Sequence, residues 1–195
     1  MKTTTRYITT LAITFFFFII SYALLQKDGH YIFDSTKFII ITLILYKYYD
    51  HLRLNHFSHL GIISAMVLHS LGRFGAFNWT IIFPWDVITH FVASYFITLL
   101  LYQALPQLQT KKGLLIILLA SIGIATIGEF IEFGGAIHSP NGQGILGVES
   151  KGSPIPWLSP DYWDTMKDLV INTLGSIICI ITLFFTQKNR KLLFS

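Results

Sequence analysis

The feature that most limits how this chain can fold is a series of long apolar stretches, the first of which, residues 7–25, contains no charge and four consecutive phenylalanines, Phe15, Phe16, Phe17 and Phe18. About 20 mostly apolar residues cross the hydrocarbon of a bilayer as a helix. Inside lipid, a segment must satisfy its own backbone hydrogen bonds, so the spanning structure is helical. Further stretches run over 36–49, with Lys37 and Lys47 able to snorkel, 58–76, 86–105, 113–137 and 164–186. The spacing predicts an all-α polytopic membrane bundle of about six transmembrane helices. The whole of 1–195 forms one integral domain, with a long loop over 138–163. Composition agrees: 53% of residues are hydrophobic and only 12% charged, about half the charge of a soluble domain. The single cysteine, Cys179, excludes an intrachain disulfide framework.

Lys2 and Arg6 before the first stretch resemble the start of a secretory signal, but an apolar run of 19 residues exceeds a signal core of roughly 7–15, so an uncleaved first helix is expected. The positive-inside rule sets orientation. With the N-terminus inside, Lys2, Arg6, Lys47, Arg53, Lys111, Lys112, Lys188, Arg190 and Lys191 are inside, and Lys27, Lys37, Arg73, Lys151 and Lys167 outside. Both termini are therefore expected in the cytoplasm, with the chain in the cell (inner) membrane. The net charge of +4 is spread along the chain, which points to anionic lipid rather than nucleic acid as its partner.

Ionisable residues within spans carry the functional signal, because each costs about 2.5–3.5 kcal/mol at mid-bilayer by insertion scales. In the expected topology, His69 and Arg73 lie at the outer end of the third helix, Asp86 and His90 open the fourth, Glu129 and Glu132 close the fifth, and Asp164, Asp168 and Asn172 open the sixth. Asp86 and His90 are four apart, Glu129 and Glu132 three apart, and Asp164, Asp168 and Asn172 successive steps of four, so each set shares a helix face. Asp164 to Asn172 descends about 12 Å. The expectation is an acidic pocket entering from the outer leaflet. Gly123, Gly128, Gly134, Gly175 and Ser176 would let the last two helices pack closely.

The stretch Asp161-Tyr162-Trp163-Asp164-Thr165-Met166-Lys167-Asp168, followed by Asn172 and Gly175, resembles the signature of YjdF-like bacterial inner-membrane proteins. Their pattern runs Asp-x-Trp-Asp-x-Gln-x-Asp-Met before a small-residue helix. His69-x2-Gly72-Arg73, Asp86-x3-His90-Phe91 and Gly128-Glu129-x2-Glu132 follow that family's order, and the resemblance covers residues 56–180. It is more distantly similar to VanZ-like membrane proteins. Met166 and Leu169 stand where the pattern has Gln and Met. The resemblance implies a multi-pass helical membrane protein and no established reaction.

Three readings of the pocket follow. Carboxylates with an imidazole suit a divalent metal, Zn²⁺ or Mn²⁺, and a mainly oxygen shell suits Mg²⁺. The candidate ligands are Asp86, His90, Glu129, Glu132, Asp164 and Asp168. Arg73 would hold an anionic group, and His69 and Asn172 would orient partners. The substrate is then a lipid-linked or envelope phosphate. The alternatives are a proton- or cation-coupled transporter, built on the same acid and histidine chain, and a scaffold in which the acids pair with Arg73, Lys167 and His90. Loop 138–163 is either a lid or a plain connector. Gly142-x-Gly144-x2-Gly147 lacks a preceding strand and is read as loop glycine. Asn78-Trp79-Thr80 is a sequon only in a secretory eukaryotic context. His51, His56 and His59 are expected at the inner interface, the aromatic run of the first helix against lipid, and Trp79, Trp85, Trp157 and Trp163 in an outer aromatic belt.

Overall fold

The computed structural model describes residues 2–27, 29–74, 76, 83–138 and 160–193, and the side chains of Lys2, His30, Arg73, 135–138, 160–161 and 187–193 lie outside that description. Its regular elements are helices: α1 (Lys2–Gln26), α2 (Gly29–Lys47), α3 (His56–Leu71), α4 (Trp85–Ala104), α5 (Lys111–His138) and α6 (Pro160–Leu193). Short 3₁₀ turns cover Gly72–Phe74 and Pro106–Leu108.

Local chemistry ends each helix where the sequence allows. Lys27, at φ 57, closes α1 in the left-handed region. Asn55 caps α3: its side chain accepts from the Ser58 amide, and the Ser58 hydroxyl accepts from the Asn55 amide in return. The same hydroxyl donates to Gln103 Oε1 at 2.7 Å, tying the start of α3 to the end of α4. Pro106 cannot continue α4, which stops at Ala104.

Four of the helices contain stretches long and apolar enough to cross a membrane: Thr3–Gln26, Trp85–Ala104, Lys111–Gly134 and Tyr162–Thr186. The six spans expected from the sequence are thus four plus two lesser helices. At about 1.5 Å per residue the 16 residues of α3 reach only about 24 Å, short of a hydrocarbon core of about 30 Å. The second stretch, expected over 36–49, begins at Gly29 instead and so takes Asp34 into the helix.

α1, α2 and α3 pack around Ala12, Phe16, Phe38, Leu45, Tyr49, Ile62, Ile63 and Met66. The phenylalanine run does not face lipid uniformly: Phe16 is fully buried, while Phe17 and Phe18 are exposed, as a 3.6-residue period requires. α6 packs along both α4 and α5, and α3 against α4 joins the two halves. Trp85 corrects the expected aromatic belt at one position, since it is buried and its indole N–H donates to the Leu68 carbonyl at 3.0 Å. That bond places the start of α4 beside the end of α3. The starts of α4 and α6 and the end of α5 form one end of the bundle, where the polar residues gather.

Of the small residues expected at helix contacts, Gly175 meets α4 and Ser176 meets Ser121 of α5. A Cβ on Gly175 would overlap Ser94 Oγ and the Phe91 carbonyl oxygen, whereas Gly123, Gly128 and Gly134 have open space around them. His59 departs from the interfacial expectation: it is fully buried, with Nε2 3.1 Å from Thr9 Oγ1, while His56 Nδ1 lies 3.2 Å from Thr5 Oγ1 and 3.3 Å from Tyr49 Oη. His51 stays exposed. The Gly142 motif, the Asn78 sequon, Trp79, Trp157 and most of loop 138–163 lie outside the described residues.

Candidate functional site

The site is built on His90, one turn into α4. Its Nε2 lies 3.3 Å from Asp86 Oδ1 on the same helix and 3.6 Å from Asp168 Oδ2 of α6. Its other nitrogen, Nδ1, lies 3.3 Å from Glu129 Oε1 of α5. Three helices therefore bring a carboxylate each to a single imidazole. Glu129 Oε1 also accepts from the Asn172 amide at 2.8 Å, four residues along α6 from Asp168. Because a carboxylate only accepts, this bond fixes which side of the Asn172 amide faces Glu129.

Lys167 holds the mouth. Its Nζ is 2.6 Å from Asp86 Oδ2, 2.6 Å from Asp164 Oδ1 and 3.5 Å from Asp168 Oδ1. Two carboxylates are thus divided between two partners: Asp86 and Asp168 each turn one oxygen to His90 and the other to Lys167. Asp168 Oδ1 is buried and accepts no hydrogen bond. Burial is graded. The Asp86, Lys167, Asp164 and His90 side chains are 24%, 29%, 19% and 19% exposed, while those of Asp168 and Glu129 are 2% and 4% exposed. Exposure thus falls from Asp86, Lys167, Asp164 and His90 to Glu129 and Asp168. Glu132, three residues after Glu129, is half-buried and has no ion-pair partner among the described residues.

Below the pocket the three helices are joined by hydroxyls. Thr98 Oγ1 and Ser121 Oγ are 2.6 Å apart, Ser121 Oγ and Ser176 Oγ 3.0 Å, and Thr98 donates to the Ser94 carbonyl at 2.7 Å. All are buried. Thr98 uses its hydrogen on a backbone carbonyl, so the chain of hydroxyls ends there.

Asp86, His90 and Asp168 each offer a ligand atom, and these atoms lie within 4.8 Å of one another. Asp164 is held by Lys167, and Glu129 stands on the far side of the imidazole. His69 is drawn elsewhere: its Nε2 lies 3.4 Å from Asp34 Oδ2, with Lys37 Nζ 2.9 Å from Asp34 Oδ1. The Phe38 ring meets the His69 ring edge-on and lies 4.9 Å from the Lys37 ammonium. The backbone of Arg73 continues from α3, and its side chain lies outside the described residues. Asp34 was not singled out in the sequence, whereas Lys167 was expected as a partner of the acids. Lys167 had a signal, as a lysine at three and one residues from two acids of the same helix.

The family described as predicted membrane proteins (DUF2238) matches residues 7–189. The chain belongs to that family. No curated protein and no solved structure matches it. Membership over nearly the whole chain fits exposed Phe17, Phe18, Leu24, Leu119, Ile127, Phe130 and Phe185 as surface turned to lipid.

Proposed function

We propose that this membrane protein binds a divalent cation between Asp86, His90 and Asp168 and presents it to a phosphate-bearing substrate, lipid-linked or of the cell envelope. The reading is carried by the spacing around His90 Nε2. His90 Nε2 lies 3.3 and 3.6 Å from the two carboxylate oxygens, and the three ligand atoms lie within 4.8 Å of one another. Ligands about 2.0–2.2 Å from a tetrahedral metal sit about 3.3–3.6 Å from one another. An imidazole with two carboxylates suits Zn²⁺ or Mn²⁺, and an oxygen-rich shell completed by water suits Mg²⁺. Three protein ligands leave a position open, the arrangement of catalytic rather than structural metal sites. In that position a metal polarises a phosphoryl oxygen. Lys167 faces the second oxygens of Asp86 and Asp168 at 2.6 and 3.5 Å, and Arg73 is the candidate for holding the anion. The lysine and arginine distribution supports a site in the outer leaflet of the inner membrane, with both termini in the cytoplasm, and the YjdF-like resemblance is in keeping with that reading.

One observation favours a second reading, a purely structural ion-pair network: the two 2.6 Å contacts of Lys167. Metal content separates the two. Detergent-purified protein, stripped and dialysed against Zn²⁺, Mn²⁺ or Mg²⁺, is expected to retain one equivalent of at least one of them, and Asp168→Asn none. Absence of bound metal, with no change in melting temperature on adding any of the three, leaves the scaffold.

A further inference from the structure

We infer that Glu129, held by Asn172, is the positioning residue that presents His90 to a cation, and that it lies outside the ligand shell. This rests on the cation-binding reading above. The two nitrogens of an imidazole point away from each other, so one ion cannot take both. Asp86 and Asp168 lie on the Nε2 side and Glu129 on the Nδ1 side. In a neutral imidazole one nitrogen donates and the other offers a lone pair. Two groups meet Nδ1: the Asn172 amide, which only donates, at 3.4 Å, and the Glu129 carboxylate, which only accepts, at 3.3 Å. The Asn172 amide already donates to Glu129 at 2.8 Å, so the carboxylate favours the tautomer with the proton on Nδ1, which turns the Nε2 lone pair towards the two aspartates. Turning the ring over would set a C–H against Glu129 and lose this contact. A carboxylate on the distal N–H of a ligating histidine both fixes the ring and raises its donor strength.

The tether is what lets Glu129 do this from a third helix. Its side chain is 4% exposed, and the oxygen that faces Nδ1 is the oxygen that accepts from Asn172. Asn172 therefore holds α5 to α6 at the height where α4 supplies the histidine. Asp168 and Asn172, one turn apart on α6, divide the work: the first faces the ion's side of the ring and the second steadies the opposite side.

The test uses Co²⁺ as the probe, at one fixed pH, on the full-length protein in detergent. Wild type is expected to take up one equivalent and to show a visible absorption spectrum. Glu129→Gln keeps an oxygen acceptor and loses the charge. It is expected to bind about 10–100-fold more weakly, with the same stoichiometry and unchanged band positions, because the ligand set is intact. Asn172→Ser is expected to weaken binding by less, again without moving the bands, and it decides the matter if Glu129→Gln does not fold. Shifted bands or lost stoichiometry in these variants overturn the inference by making Glu129 a ligand. Unchanged affinity in both overturns it by making the pair merely structural. No Co²⁺ uptake by wild type removes the parent reading itself.

Discussion

Asp168 sits among more negative charge than its neighbours balance. Asp86 and Asp164 lie beside it and share His90 and Lys167 with it, and its own side chain is 2% exposed. Unpaired buried charge is strongly unfavourable, and like charges at this range add to the cost. Removing the charge should therefore help the empty protein and harm the loaded one. Asp168→Asn is expected to melt higher than wild type in chelator. It is also expected to lose the metal-dependent rise that wild type shows, which is about 2.7 kcal/mol at a hundredfold excess over the dissociation constant. Differential scanning fluorimetry with and without Zn²⁺ or Mn²⁺ reads both effects. Lys167→Met is expected to do the reverse in chelator. It leaves Asp86, Asp164 and Asp168 without their ammonium and lowers stability by about 1–3 kcal/mol, discounted for its partly exposed rim position. At this scale, spacing made much of the site legible: Asp86 with His90, and Asp164 with Asp168, are placed by steps of four. His69 was not, because its partner Asp34 lay before the stretch expected as a helix, and hydropathy alone gives no hint that α2 starts early enough to carry that acid inward.

Helix packing is where the seam of α4 and α6 matters. At Gly175 a methyl group meets backbone as well as the Ser94 hydroxyl, and backbone cannot step aside. Gly175→Ala is expected to cost about 1–3 kcal/mol by overpacking. Gly128→Ala, with open space around it, is expected to be neutral or to gain up to about 1 kcal/mol from helix propensity. Thermal melting of the two variants in one detergent checks both. A larger loss at Gly128 would show that α5 approaches a neighbour more closely than described. The sequence indicated that small residues would be used but not which of them meet a partner, since glycine facing lipid and glycine facing a helix look alike in one dimension. The hydroxyls of Thr98, Ser121 and Ser176 belong to the same scale. They tie α4, α5 and α6 below the pocket, and Ser121→Ala is expected to cost about 1 kcal/mol. Their chain closes on the Ser94 carbonyl, so it locks helices together and offers no onward path to a proton.

Over the whole molecule, the helical membrane class was readable from long apolar stretches; the family match bears out the membrane and the described elements bear out the helices. The number of spans was not. α2 carries Asp34 and Lys37, and α3 is short and carries buried His59, so both owe their placement to partners in α1 and in each other rather than to apolar length. Orientation is testable directly. In a Cys179→Ala background, Lys112→Cys in intact cells is expected to resist a membrane-impermeant thiol reagent until the membrane is opened, because the turn between α4 and α5 is cytoplasmic in this reading. Labelling before permeabilisation inverts the topology and moves the site to the cytoplasmic leaflet.

Everything in the functional account turns on whether an ion sits where α4 and α6 open. Diffraction from crystals grown with Mn²⁺ or Zn²⁺, with anomalous scattering collected at the metal edge, answers this most directly. The account predicts one strong peak about 2.0–2.2 Å from His90 Nε2, bounded by carboxylate oxygens of Asp86 and Asp168, with Glu129 on the opposite side of the ring. A map with no peak there, or a peak between Glu129 and Glu132 with His90 uninvolved, contradicts it.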